Sequence, residues 1–166
     1  MKKFASFLLA AALCCIATVP AFAADSQITP DSDPKSASTE LTYSVAADYI
    51  VVIPEMVALD SDLTIKSTKA NTEPGKAVKV SISGLNADGK AELTRANDTE
   101  YKITADVKQG EKALKNSDVV ATFADVTAET AATAITVSNA ASPDTNPIKA
   151  GSYSGTLTFT VSYEDA

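Results

Sequence analysis

Apolar and hydroxyl-bearing side chains alternate without a break from residue 153 to residue 163. Tyr153, Gly155, Leu157, Phe159, Val161 and Tyr163 fall on one side of an extended backbone; Ser154, Thr156, Thr158, Thr160 and Ser162 fall on the other. Period two held over the whole run predicts a long strand with one face on a core and one in water. A wet face built only from Ser and Thr suits a sheet. The sequence stops three residues later, so this strand is expected to close the domain, with nothing after it to anchor the protein. A strand without charged residues on its wet face is either enclosed in a sheet or open to pairing. Enclosure, with neighbours on both edges, is the expected arrangement in a sandwich.

Similar but shorter patterns fill the preceding hundred or so residues. Leu41, Tyr43 and Val45 alternate with Thr42 and Ser44. Asp48 to Ile53 is a denser apolar run stopped by Pro54, read as a strand buried on both faces or one with a bulge. Met56, Leu59, Leu63 and Ile65 suggest a further strand, broken by Asp60-Ser61-Asp62. Val78, Val80 and Ile82 alternate up to Asn86-Ala87-Asp88-Gly89, a hairpin turn, with Ala91 and Leu93 on the return. Tyr101, Ile103, Ala105 and Val107 alternate towards a second hairpin at Gln109-Gly110. Val119 to Phe123 reads as a strand, Asp125 to Thr133 as loop or helical turns, and Ile135 with Val137 as a short strand. Pro143 and Pro147 frame a loop. The expected fold is all-β, an antiparallel sandwich of about seven to nine strands. No helical period separates the strands, which tells against a parallel α/β sheet.

The N-terminus departs from this pattern. Lys2 and Lys3 precede a mostly apolar stretch from Phe4 to Val19, and Ala21-Phe22-Ala23 forms a small-x-small cleavage box. Residues 1–23 therefore read as a secretory signal, too short and too interrupted by Pro20 for a span. Residues 24–39 are rich in Asp, Ser, Thr and Pro and read as a flexible tail, leaving 40–166 as the folded domain. The tail lacks the alternating apolar residues of a donor strand, which tells against a chaperone-assembled pilin. Both cysteines, Cys14 and Cys15, lie inside the signal without a lipoprotein box, so the mature domain must be stabilised by its core alone.

Charge and composition narrow the chemistry. Removing Lys2 and Lys3 leaves 12 Lys and Arg against 21 Asp and Glu, so the net charge moves from −7 to −9. That disfavours nucleic acid and anionic membrane surfaces as partners. The chain has no histidine, which removes imidazole acid–base chemistry, Ser-His-Asp catalysis and His-ligated zinc. No carboxylate pair stands out for glycoside hydrolysis, and there is no Trp to stack a sugar. The reading is non-enzymatic, with no catalytic, cofactor-binding or metal-ligating residues assigned. The turns Asp60–Asp62 and Asn86–Gly89 place oxygen atoms where a hard cation could use them, but Asp and Asn favour turns for backbone reasons alone. Asn97-Asp98-Thr99 fits the glycosylation triplet by chance, and Ser32-Asp33-Pro34-Lys35 fits a Ser-x-x-Lys pattern without the rest of such a site.

Two stretches carry a resemblance. Leu41 to Pro54, followed by Glu55 to Leu59, resembles the opening T-Y-x-V … Y-x-V-x-I-P-x-x-x-x-L of secreted and cell-surface Ig-like domains of Gram-positive bacteria. Ile148 to Tyr163 is similar to their closing I-x-A-G-x-Y-x-G-x-L-x-F-x-V strand, and Val78 to Asp88 resembles a middle hairpin. The resemblance implies an Ig-like sandwich secreted to the cell surface. The related WxL surface proteins bind the wall through a Trp motif that this chain lacks. The expectation is a secreted, non-catalytic structural or interaction module. One alternative is an adhesin binding a carbohydrate or host ligand through loops such as Asp60–Asp62 and Pro143–Pro147. The other is a self-associating surface-fibre subunit joined by strand pairing. Protein or glycan partners at the surface suit all three; nucleic acid and membrane do not. No Leu-Pro-x-Thr-Gly signal or C-terminal apolar tail is present, so covalent wall anchoring is not expected.

Overall fold

The computed structural model describes residues 28–33, 35–39, 41–142 and 147–166. The expected signal, both cysteines, the start of the tail and most of the Pro143–Pro147 loop lie outside them. The chain divides into two units, Met1–Ala46 and Ala47–Ala166. The described residues of the first form no strand or helix; a turn from Thr29 to Ser32 is closed by the Ser32 amide donating to the Thr29 carbonyl at 3.1 Å. Leu41, Tyr43 and Val45, whose alternation reads as a first strand, thus stand outside every strand.

The second unit is all-β and antiparallel, with no helix among the described residues. Its strands are β1 (Asp48–Val52), β2 (Ser61–Leu63), β3 (Lys66–Asn71), β4 (Lys76–Ser83), β5 (Lys90–Arg95), β6 (Asp98–Gln109), β7 (Lys112–Ala113), β8 (Val119–Phe123), β9 (Thr130–Ala131), β10 (Ile135–Ala141), β11 (Tyr153–Ser154) and β12 (Thr158–Asp165). They form three sheets, ordered β1-β3-β9, β11-β5-β6-β10-β2 with β7 on β6, and β12-β4-β8. Inward residues of all three meet in one core. Leu63, Ala105, Val107 and Ile135 come from the second sheet, Val78, Val80, Ile82 and Phe123 from the third, and Ala70 from the first. Alternation therefore marked the inward faces of β4 and β6 correctly, because each buries one side only.

The additional strands are short or polar. β3 reads Lys-Ser-Thr-Lys-Ala-Asn and gives no apolar alternation. Its one buried polar side chain, Ser67, shares its single hydroxyl proton between the carbonyls of Ile50 at 3.1 Å and Lys69 at 3.0 Å. β1 pairs with β3 through a register shift at Ile50/Val51 whose extra residue, Thr68, lies on β3, so the apolar run 48–53 is neither bulged itself nor buried on both faces: Ile50 and Val52 face out. The Asn86–Gly89 turn forms, with the Gly89 amide donating to the Asn86 carbonyl at 3.0 Å and Gly89 at φ +76°. Its flanking strands, however, belong to different sheets: β4 leaves for the third and β5 for the second. Lys108 to Lys112 is the hairpin expected, joining β6 to β7. Asp125 to Thr133 holds β9 and a bridge from Val126 to Ala70 in place of helical turns.

The closing run is not one strand. Tyr153 and Ser154 pair with β5, the chain crosses at Gly155–Leu157, and β12 then pairs with β4. A Cβ on Gly155 would lie 2.3 Å from the Glu92 carbonyl oxygen, and one on Gly84 2.8 Å from that of Thr156. The backbones cross here too closely for any side chain. Sequence alternation cannot register such a switch, because the phase continues through it.

Candidate functional site

β12 lies at the margin of its sheet. Its ladder to β4 is complete from Thr158↔Ser83 to Asp165↔Lys76, and among the described residues no strand pairs with its other edge. The expectation of a strand enclosed on both edges is thus corrected: the bare-edge alternative describes β12. β1 is likewise a margin, paired among the described residues with β3 alone. The two margins converge where the Tyr49 and Tyr163 rings stack, centroids 6.4 Å apart at 23°.

The packing beneath this seam is incomplete. On β4 the inward residues Val78, Val80 and Ile82 are at most 1% exposed. The inward residues of β12 and its approach (Leu157, Phe159, Val161, Tyr163) pack on the same core but are only partly buried. Tyr49, Val51 and Ile53 on the β1 side are also partly buried. Both rows are apolar and neither is fully covered. Adding one strand there would supply main-chain partners for two bare edges and apolar cover for two half-buried rows.

The far end of β12 is held firmly. Lys76 Nζ donates to Asp165 Oδ1 at 2.6 Å, the Glu73 amide donates to the Tyr163 hydroxyl at 2.8 Å, and the Ala166 amide donates to the Gly75 carbonyl at 2.9 Å. The hydrogen bond between Lys76 and Asp165 raises the ammonium pKa and lowers the carboxyl pKa. The β12 edge is therefore bare yet ordered, as an acceptor requires.

The chain also carries a segment with the matching pattern. Leu41, Tyr43 and Val45 are 93%, 92% and 59% exposed. Three large apolar side chains at alternate positions, with no strand partner among the described residues, have the period of a one-sided strand. The tail 24–39 lacks such residues; they begin immediately beyond it, within the stretch whose alternation reads as a first strand of the body.

In the two turns that offered oxygen atoms to a cation, Asn86 and Asp62 each have a side-chain oxygen that accepts a hydrogen bond from within the protein. Asn86 Oδ1 accepts from the amides of Asp88 at 3.0 Å and Lys90 at 2.9 Å, and Asp62 Oδ1 accepts from the Thr136 hydroxyl at 2.7 Å. Asp60 sits at φ +60° with its amide on the Val137 carbonyl at 2.7 Å. Among the described residues no three His, Cys, Asp or Glu side chains gather as a metal would need.

Comparison with protein families gives a match over most of the chain: residues 15–162 fit the family described as CS1 type fimbrial major subunit. Searches of curated proteins and of solved structures return no match.

Proposed function

This chain belongs to the CS1 type fimbrial major subunit family, a family of structural cell-surface fibre subunits, and from that membership we propose that it joins its neighbours by strand pairing. Its role is structural and not catalytic. Of the three readings open to the sequence, the fibre subunit is the one that the family favours; the Gram-positive, WxL-like part of the resemblance gains no support from it. The Leu41–Val45 segment of one copy enters the β1–β12 seam of the next. There its backbone pairs with the free edges, and Leu41, Tyr43 and Val45 cover Tyr49, Val51, Phe159 and Val161.

The observation that carries this reading is the half-burial of Phe159 and Val161 beside the fully buried Val80 and Ile82 of the adjoining strand. One side of the core waits for cover while the exposed segment supplies the matching alternation. Each large side chain moved from water to that seam is worth roughly 1.5–3 kcal/mol. A head-to-tail contact of this kind propagates into a filament when its rotation does not close a ring, and the fibre is the form the family description names.

Disulfide trapping tests the pairing. The only cysteines are Cys14 and Cys15, both in the expected signal, so the secreted chain offers a clean background. Mixing a Tyr43→Cys chain with a Val161→Cys chain should yield a mixed disulfide dimer under mild oxidation. Equal yields from Tyr43→Cys paired with a cysteine at the distant, exposed Glu111 would contradict the assignment.

A further inference from the structure

A second gap between sheet margins exists on the far side of the β12-β4-β8 sheet. β8 and the segment Ala131–Thr133 line a cleft of about 370 Å³, with Gln109 between them. Among the described residues β8 has β4 on one edge only, and β9 has β3 on one edge only. By position this is another place where a strand could add.

Two features set it apart from the β1–β12 seam. The core beneath it is shut: Val120, Ala121 and Phe123 are 4%, 6% and 3% exposed. Its two banks are also tied by one side chain. Gln109 Nε2 donates to the Val120 carbonyl at 2.7 Å and to the Thr133 carbonyl at 2.9 Å. A single nitrogen bound to both oxygens fills the space between the two banks and occupies the carbonyls that an inserted strand would pair with. Both amide protons are thereby used, which a primary amide alone supplies at this length. The Gln109 backbone is itself fixed, opposite Lys112 of β7 and Ile135 of β10.

We propose that Gln109 is a clasp that closes this second seam to strand addition, so that the gap between β8 and β9 does not compete with β1–β12 for an incoming strand. The inference rests on the strand-pairing reading. One acceptor and one donor per subunit give an unbranched fibre; a second acceptor would permit branching and non-native pairing.

Gln109→Glu tests it best, because the side chain keeps its length and loses both donors. Gln109→Ala serves as a second variant. The first readout is amide exchange at Ala132, whose N–H donates to the Ile65 carbonyl at 2.9 Å beside the clasp. Exchange there should quicken by roughly fivefold to tenfold, the worth of the lost bond to the Thr133 carbonyl on the same bank, while the β4–β12 ladder stays as in wild type. The second readout is native mass spectrometry with an added peptide of residues 36–47, where Gln109→Glu should take up one peptide more than wild type. Unchanged Ala132 exchange overturns the clasp. Faster exchange with no extra peptide overturns its role in excluding strands. Wild type taking up no peptide, while Gln109→Glu takes up one, supports the clasp and separately sinks the assignment of the β1–β12 seam.

Discussion

Gly155 shows how much of this fold depends on a missing side chain. Its position 2.3 Å from the Glu92 carbonyl, measured to where a Cβ would stand, lets the chain pass from the second sheet to the third. Gly155→Ala should cost about 3 kcal/mol, read from the urea midpoint, because the obstacle is backbone and cannot turn aside. A loss within that of an ordinary surface substitution would mean the crossing is looser than described. Single carboxylates make a second prediction. Hydrogen bonds from Lys90 and then Asn139 depress the Asp106 pKa; those from the Lys115 amide and then the Lys112 ammonium depress that of Asp118; the Lys76 hydrogen bond depresses that of Asp165. The stability these groups add is complete above the ordinary carboxylate pKa of about 4 and is lost as pH falls through their lower folded values. With no histidine in the chain, melting temperature should be flat from pH 5 to 8 and fall only below about pH 4. The fall is modest, since exposed pairs are screened. A step near pH 6 to 7 in a series of thermal melts would contradict this.

Among the elements, legibility followed burial. β4 and β6 each bury one face, so period two located them; β8 read as a strand without it, and its bulge buries the adjacent Val120 and Ala121 together. β3 was invisible because its inward residues are Ser67 and Ala70, small groups that carry no hydropathy signal. The switch between β11 and β12 kept its phase through Gly155, so two strands in two sheets read as one. Leu41, Tyr43 and Val45 misled for the opposite reason. Their alternation is real, but among the described residues it is part of no strand. Period two reports that a segment wants one apolar neighbour; it does not say whose. The same limit applied to β12, where the pattern gave the inward face and was silent on the free edge. Gln109 carried no signal at all, since one glutamine beside a glycine turn is ordinary. At this scale we expect Tyr43→Asp to leave circular dichroism and unfolding midpoint unchanged, since its side chain is solvent-exposed. The same change should weaken association by about tenfold to a hundredfold, the worth of one large side chain buried in the seam. A shifted midpoint would place Tyr43 in the folded body instead.

For the whole molecule, the acidic charge and the free edge act together. The net charge of −9 expected of the secreted chain opposes the approach of copies, and Phe159, Val161 and Tyr163 on the inward face of β12 carry no charge to block pairing. Association should therefore strengthen with added salt, as repulsion between like-charged subunits is screened. Sedimentation velocity on residues 24–166, across a concentration series and beside a Leu41→Asp, Tyr43→Asp variant, addresses the central claim most directly. The account predicts species that grow with concentration in the wild-type chain and a monomer in the variant. A wild-type chain that stays monomeric throughout, or a variant that assembles equally well, would contradict it.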